Sequence, residues 1–284
     1  MNTALSASFI CWKDGDYLAF EKQKIELDDR GFSLGDGVFD TLLINAGQPQ
    51  YLDYHISRLK EHANLIDLKV PESLDNLGGI VKDLVLRNNL SKGRASLRTT
   101  LTRGRGPRGL MPPCPCHPSM IVTISSLPEH LCRNKKISLI LPVDLSRNEK
   151  SVLSRIKSLS YADCVLAIIR ARQRGSDNAA FINTKGFLSC AANGNIYFYL
   201  GGGWKTPPIK DGVLNGTIRQ ILINKRKVSE QSIHESELLD VKAMAISNSL
   251  VGLQNVSRLG DVTFKEPERF NDLADRDYRL EENS

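Results

Sequence analysis

The chain has 284 residues, 41% of them hydrophobic and 25% charged, with a formal net charge of +6. These proportions exclude a disordered chain, and the length allows two lobes with buried cores. No run of 18 apolar residues occurs and Met1 to Ile10 is too short and polar for a secretory leader, so the expectation is a cytosolic protein with no membrane partner.

The six cysteines, Cys11, Cys114, Cys116, Cys132, Cys164 and Cys190, are scattered in the manner of reduced thiols rather than a disulfide frame. Cys114-Pro115-Cys116-His117 lacks a second thiol pair and reads as loop, so no metal site is expected. Basic residues alternate with acids along the chain. The densest patch, Arg103 to Gly109, has neither the interleaved aromatics nor the fold signature of a nucleic-acid module, so no nucleic-acid partner is expected. It reads either as a solvated loop or as one that binds small carboxylates through paired guanidinium donors.

In chain order, strand-like Ser8 to Trp12 and Tyr17 to Phe20 flank a hairpin turn at Lys13 to Asp16. Asp29 to Leu42 then brings three glycines close together, which predicts a sharply turning backbone before a strand over Val38 to Ile44. A helix is predicted from Asp53 to Ile66, with Asp53 as its cap and Ile56, Leu59, Ala63 and Ile66 as its apolar face. His55 and Arg58 share a flank of it, as surface polar residues in the plainest reading. A second helix ends near Leu90, and strands follow at Ala95 to Thr102 and Met120 to Ser125. These give an α/β lobe over residues 1–126, and Leu127 to Lys135 reads as a connection.

The second lobe, residues 136–284, opens with a strand over Lys136 to Val143 and a helix over Tyr161 to Arg174 that ends at Gly175. Short strands follow at Ala179 to Ile182, Phe187 to Cys190 and Asn195 to Leu200. Leu214-Asn215-Gly216-Thr217-Ile218-Arg219 opens another helix, Ala243 to Ile246 is a buried strand ending in Ser247-Asn248-Ser249, and a last helix is predicted over Glu266 to Leu280.

Lys157 stands in an apolar and hydroxylic stretch, Ile156-Lys157-Ser158-Leu159-Ser160-Tyr161. Spacing alone favours a solvated surface charge; a desolvated amine would be a nucleophile toward an aldehyde. A helix starting on Gly216-Thr217, a strand ending in Ser-Asn-Ser and a guanidinium such as Arg58 would together make a phosphate cradle. A nucleophilic lysine with a phosphate cradle is what pyridoxal 5′-phosphate requires of a protein.

The same segments resemble the motifs of the fold-type IV pyridoxal-phosphate enzymes: branched-chain aminotransferases, D-amino-acid aminotransferases and aminodeoxychorismate lyases. They are Asp29-Arg30-Gly31 with Gly35 to Thr41, Tyr51 to Leu59 around His55 and Arg58, Ile156 to Tyr161, Asn195-Ile196, Gly216 to Arg219 and Ser247 to Ser249. The resemblance implies a small N-terminal α/β lobe, a larger C-terminal lobe with a barrel-like sheet, an active site between them, and a homodimer. It implies that Lys157 forms the Schiff base and shuttles the substrate proton. Arg58, Thr217, Ile218, Asn248 and Ser249 would hold the phosphate, and Tyr161 would stand near the cofactor's phenolic oxygen.

One departure matters. The family's glutamate that meets the pyridine nitrogen lies five residues before the asparagine of the Asn-Ile strand; counting back from Asn195 gives Cys190, and no acid lies between Lys185 and Asn195. A neutral thiol leaves the ring nitrogen less protonated and the cofactor a weaker electron sink. That handicaps a transaminase more than a lyase whose product ring becomes aromatic. Ser247-Asn248-Ser249-Leu250 and the Arg105 to Leu110 loop also resemble the lyases. The expectation is therefore a 4-amino-4-deoxychorismate lyase, an enzyme of folate biosynthesis that releases pyruvate and 4-aminobenzoate. Arg103, Arg105 or Arg108 would meet the carboxylates of this amino substrate. A D-amino-acid or branched-chain aminotransferase is the competing expectation, and a non-catalytic member of the family is a third.

Overall fold

Nine residues from Gly37 to Asn45 are buried almost continuously, and they pair along their whole length with Arg94–Thr102. A computed structural model describes residues 9–128 and 136–273. Its first sheet contains β1 (Ile10–Lys13), β2 (Asp16–Ala19), β3 (Gly37–Asn45), β4 (Gln48–Pro49), β5 (Arg94–Thr102) and β6 (Ser119–Leu127). Their order is β2-β1-β6-β5-β3-β4, and every pair is antiparallel. The predicted hairpin is the β1–β2 pair, turning through Asp14 at φ 49 and Gly15.

Three helices accompany this sheet: α1 (Arg30–Leu34), α2 (Leu52–Asn64) and α3 (Leu77–Arg87). The glycine-rich stretch is more ordered than expected, because Asp29 caps α1 by accepting from the backbone N–H groups of Gly31 and Phe32, and Gly35 closes it in the left-handed region. For α2 the expected cap is corrected: Tyr51 holds the N-cap position in the left-handed region, and Asp53 lies within the first turn, where its charge favours the helix dipole. Leu77, Ile80, Val81, Leu84 and Val85 recur at helical spacing and bury one face of α3.

The second sheet contains β7 (Ile137–Ile140), β8 (Ser146–Arg147), β9 (Asn178–Asn183), β10 (Leu188–Ala191), β11 (Asn195–Leu200), β12 (Gly203–Thr206), β13 (Ser229–Glu230), β14 (Ala243–Asn248), β15 (Gly252–Leu259) and β16 (Val262–Thr263). The path β10-β9-β7-β15-β14-β11-β12-β13 mixes parallel and antiparallel pairs in a barrel-like sheet; β16 adds to β15 and β8 to β9. Its helices are α4 (Ala162–Gln173), α5 (Thr217–Asn224) and α6 (Phe270–Leu273). Small inward residues on α4, Cys164, Ala167 and Ala171, let the helix approach Ala179, Phe181 and Cys190 closely. The last predicted helix is realised among the described residues only as a 3-10 turn at Pro267–Arg269 followed by α6; residues 274–280 lie outside them. So do residues 129–135 of the predicted connection.

The described residues fall into two compact units, and Lys157–Ser160 belong to the first of them, not to the C-terminal lobe assigned from sequence. The reason is strand-like pairing with β3: Phe39 donates its N–H to the Lys157 carbonyl at 2.8 Å, and Leu159 donates to the Gly37 carbonyl at 3.0 Å. Gly37 is required there, since a Cβ would stand 2.3 Å from the Leu101 carbonyl oxygen.

Among the described residues no helix is long and apolar enough to cross a membrane, no disulfide forms, and no group of three His, Cys, Asp or Glu could hold a metal ion.

Candidate active site

The buried stripe of α2 is His55, Arg58, Leu59, His62 and Ala63, an i, i+3, i+4, i+7, i+8 pattern. Three of its five members are polar: of the apolar face expected from spacing, Leu59 and Ala63 are buried while Ile56 and Ile66 are only half-buried, and His55, Arg58 and His62 complete the inward face. His55 and Arg58 are correspondingly buried rather than exposed. Their partner is Asp40 on β3, which accepts from Arg58 Nε and Nη2 at 2.8 Å each and meets His55 Nδ1 at 2.7 Å. Burial pushes the Asp40 carboxyl up, but the Arg58 guanidinium and His55 more than offset this and hold it well below the usual carboxylate range. Arg58 Nη1 bonds to none of the described residues.

His62 accepts a hydrogen bond at Nδ1 from the backbone N–H of Lys157 at 3.2 Å. Burial first, and then the cations Arg58 and Lys157, lower its pKa to about 4, although Asp40 pulls the other way. The imidazole is therefore neutral at neutral pH. Lys157 is half-buried, with Nζ 4.6 Å from the centre of the Phe39 ring, and does not project as a solvated surface charge. Sequence reasoning missed Asp40 and His62 as site residues. His62 was recoverable, because it continues the stripe that begins with His55 and Arg58.

The basic loop divides into different roles. Arg103 is buried and committed: Nε binds the Asp36 carboxylate at 2.8 and 3.0 Å, while Nη1 and Nη2 donate to the carbonyls of Asp67 and Ile66 at 2.7 Å. It is a structural clamp and not the carboxylate binder considered from sequence. Arg30 similarly donates to Asp36 and to the carbonyls of Gly109 and Leu110, which shapes the loop. Arg105 is exposed and paired with Asp28, and Arg108 is exposed.

In the second unit, α5 begins on Gly216 and its first backbone N–H groups, on Thr217 and Ile218, point where no helical acceptor exists. A Cβ on Gly216 would stand 2.0 Å from Asn195 Oδ1, so only glycine brings the chain this close to β11. Thr217 is 1% exposed and its Oγ1 has no hydrogen-bond partner. Such a group calls for a ligand. Arg219 steadies the turn before the helix by donating to Asn215 Oδ1 at 3.0 Å and to the Pro207 carbonyl at 3.1 Å. At the end of β14, the Asn248 side-chain oxygen accepts from the N–H groups of Leu250 and Val251 at 3.0 Å each, so Asn248 shapes its own turn and Ser249 follows on that turn.

Cys190 lies on β10 and is 5% exposed. Arg147 packs against it and donates from Nη2 to Cys164 Sγ at 3.0 Å; Tyr161, at the N-cap of α4, also faces this guanidinium.

Each unit thus offers donors suited to a phosphorylated aldehyde. The first has an amine beside a buried arginine with a spare N–H edge, and the second has an orphaned hydroxyl at a helix N-terminus. These residues fit pyridoxal phosphate.

The family model for amino-transferase class IV matches residues 37–259. A D-alanine aminotransferase of Listeria monocytogenes is 26% identical over 256 residues, covering 88% of this chain and 87% of its own. An aminodeoxychorismate lyase of Bacillus subtilis is 25% identical over 218 residues, covering 75% of this chain and 72% of its own. Among solved structures, the branched-chain amino acid aminotransferase of Escherichia coli superposes with a TM-score of 0.84 at 20% identity, covering 92% of this chain and 89% of that one.

Proposed function

The chain belongs to the class IV aminotransferases, a family of pyridoxal-phosphate enzymes, and from this premise we propose that it is a 4-amino-4-deoxychorismate lyase. The observation that carries the reading is Cys190. Counting back from Asn195 gives Cys190 the place of the family's glutamate, and on β10 it is a buried thiol with the Arg147 guanidinium beside it.

When bound, the cofactor supplies an electron sink for the carbon that bears the substrate's amino group. Nζ of Lys157 would take the proton from that carbon and return a proton to the methylene of the departing enolpyruvyl group. With the C–O bond on the neighbouring carbon broken, that unit would leave as pyruvate, and aromatisation of the ring would lessen the demand on the sink. By the family resemblance, Arg58, the Thr217–Ile218 end of α5, Asn248 and Ser249 would be the residues that hold the phosphate. Tyr161 would meet the phenolic oxygen. Arg105 and Arg108, exposed on their loop, attract the two carboxylates of the substrate.

The test mixes purified, cofactor-loaded protein with 4-amino-4-deoxychorismate and follows pyruvate and 4-aminobenzoate. Equal amounts of both products are expected, with loss of both in Lys157→Ala. The likeness to a D-alanine aminotransferase favours transamination instead. Faster amino transfer from a D-amino acid to 2-oxoglutarate than pyruvate release would overturn the lyase reading.

A further inference from the structure

Arg147 carries a positive charge to which the proposed function assigns no step. It closes the two-residue strand β8, and its half-buried side chain reaches Phe181, Cys164 and Cys190, which belong to one hydrophobic cluster. Its central carbon lies 4.7 Å from the centre of the Phe181 ring, and Nε is buried with no hydrogen-bond partner. Among the described residues no carboxylate pairs with it. Glu149, two residues along, is engaged instead by Thr184 Oγ1 at 2.8 Å. The titratable groups that face the guanidinium are Cys190, Cys164 and Tyr161. A guanidinium keeps its proton at any working pH, and in apolar surroundings its field is weakly screened.

We propose that Arg147 sets the charge at the position on β10 that faces the cofactor's pyridine nitrogen, so that this nitrogen stays unprotonated and accepts rather than donates a hydrogen bond. The inference rests on Cys190 facing that nitrogen, as given under the proposed function. It goes further in assigning the effect to a half-buried cation rather than to the lack of a carboxylate alone. A carboxylate introduced at position 190 would be captured by Arg147, and for that reason it would not by itself restore a protonated ring.

The experiment loads the protein with pyridoxal phosphate labelled with nitrogen-15 in the ring and reads the nitrogen resonance of the bound form. Wild type and Cys190→Ser should both resonate in the neutral-pyridine range. Arg147→Gln, which keeps the size of the side chain and removes its charge, should bring protonation at higher pH than in wild type. Cys190→Glu should move toward the pyridinium range by less than Cys190→Glu combined with Arg147→Gln. A pyridinium resonance in wild type would overturn the inference, as would equal shifts in the single and double variants; the wild-type reading decides even if variants carrying Arg147→Gln fail to fold. Borohydride reduction followed by mass spectrometry separates the two layers of the argument. Label fixed on Lys157 with a pyridinium resonance refutes Arg147 alone, whereas no label on Lys157 refutes the cofactor placement and the inference with it.

Discussion

Asp40 holds Arg58 by two parallel hydrogen bonds of 2.8 Å, with both side chains 4% exposed. Breaking one partner of a buried pair leaves an uncompensated charge, which costs about 3–5 kcal/mol. Asp40→Ala should lower unfolding stability by about that amount and weaken pyridoxal phosphate binding by releasing the guanidinium from its fixed orientation. Asp40→Asn, which keeps one acceptor, should lose less stability. Urea unfolding and a cofactor titration measure the two effects; unchanged values for both variants would remove Asp40 from the site.

The same contact has an acid limit. The Asp40 carboxyl has a lower pKa folded than unfolded, so its contribution is fully present above the unfolded value of about 3.9 and is lost as pH falls through the folded one. His62 acts over a higher range. With a folded pKa of about 4 against an ordinary 6.5, the unfolded chain takes up a proton that the native imidazole refuses, so stability falls as pH drops from about 6.5 toward 4. The loss is on the order of 3 kcal/mol if the shift is fully expressed. His62→Gln should flatten this part of the stability profile relative to wild type. A profile of the same slope in both proteins would refute the buried neutral imidazole.

Arg103 and Arg108 lie five residues apart and should behave differently. Arg103→Ala removes a guanidinium that binds the Asp36 carboxylate and two carbonyls, and a loss of about 3–5 kcal/mol in stability is expected. Arg108→Ala is exposed and should change stability by less than about 0.5 kcal/mol. If the loop attracts a dicarboxylate, Arg108→Ala raises KM in a salt-dependent way and leaves kcat unchanged. Thermal unfolding with kinetics at two ionic strengths checks both halves; a fall in kcat for Arg108→Ala would give it a role in the chemistry itself.

Much of the fold was legible because local patterns and tertiary structure agree. The helix expected over Tyr161 to Arg174 is Ala162–Gln173, and the predicted strand Ala95 to Thr102 is Arg94–Thr102. The inward face of α2 was only half legible: Leu59 and Ala63 are buried as expected, but its other buried positions hold Arg58, paired with Asp40 of β3, and two imidazoles. A polar stripe looks like a solvent face until its partner is known, and Asp40 comes from a distant strand. The grouping of Lys157–Ser160 with the first unit was hidden for a related reason: it depends on main-chain bonds to Gly37 and Phe39, which no side-chain pattern reports. The motif order, by contrast, pointed to Thr217, whose Oγ1 is buried without a hydrogen-bond partner.

Thr217 separates a ligand group from a structural one. Its Oγ1 is buried and makes no hydrogen bond, so in the protein without cofactor the hydroxyl bears a desolvation cost with no compensation. A residue that holds the fold together would destabilise it when removed. Thr217→Val keeps the shape and β-branching while deleting the hydroxyl, so unfolding stability without cofactor should stay level or rise by about 1–3 kcal/mol. The same change deletes a donor to an anionic phosphate, worth about 1.5–3 kcal/mol, and should weaken pyridoxal phosphate binding roughly 10- to 100-fold. Stability and affinity would then move in opposite directions in one variant. If both fell together, Thr217 would be supporting α5 and not a phosphate, and the cradle would have to be sought elsewhere on the second unit.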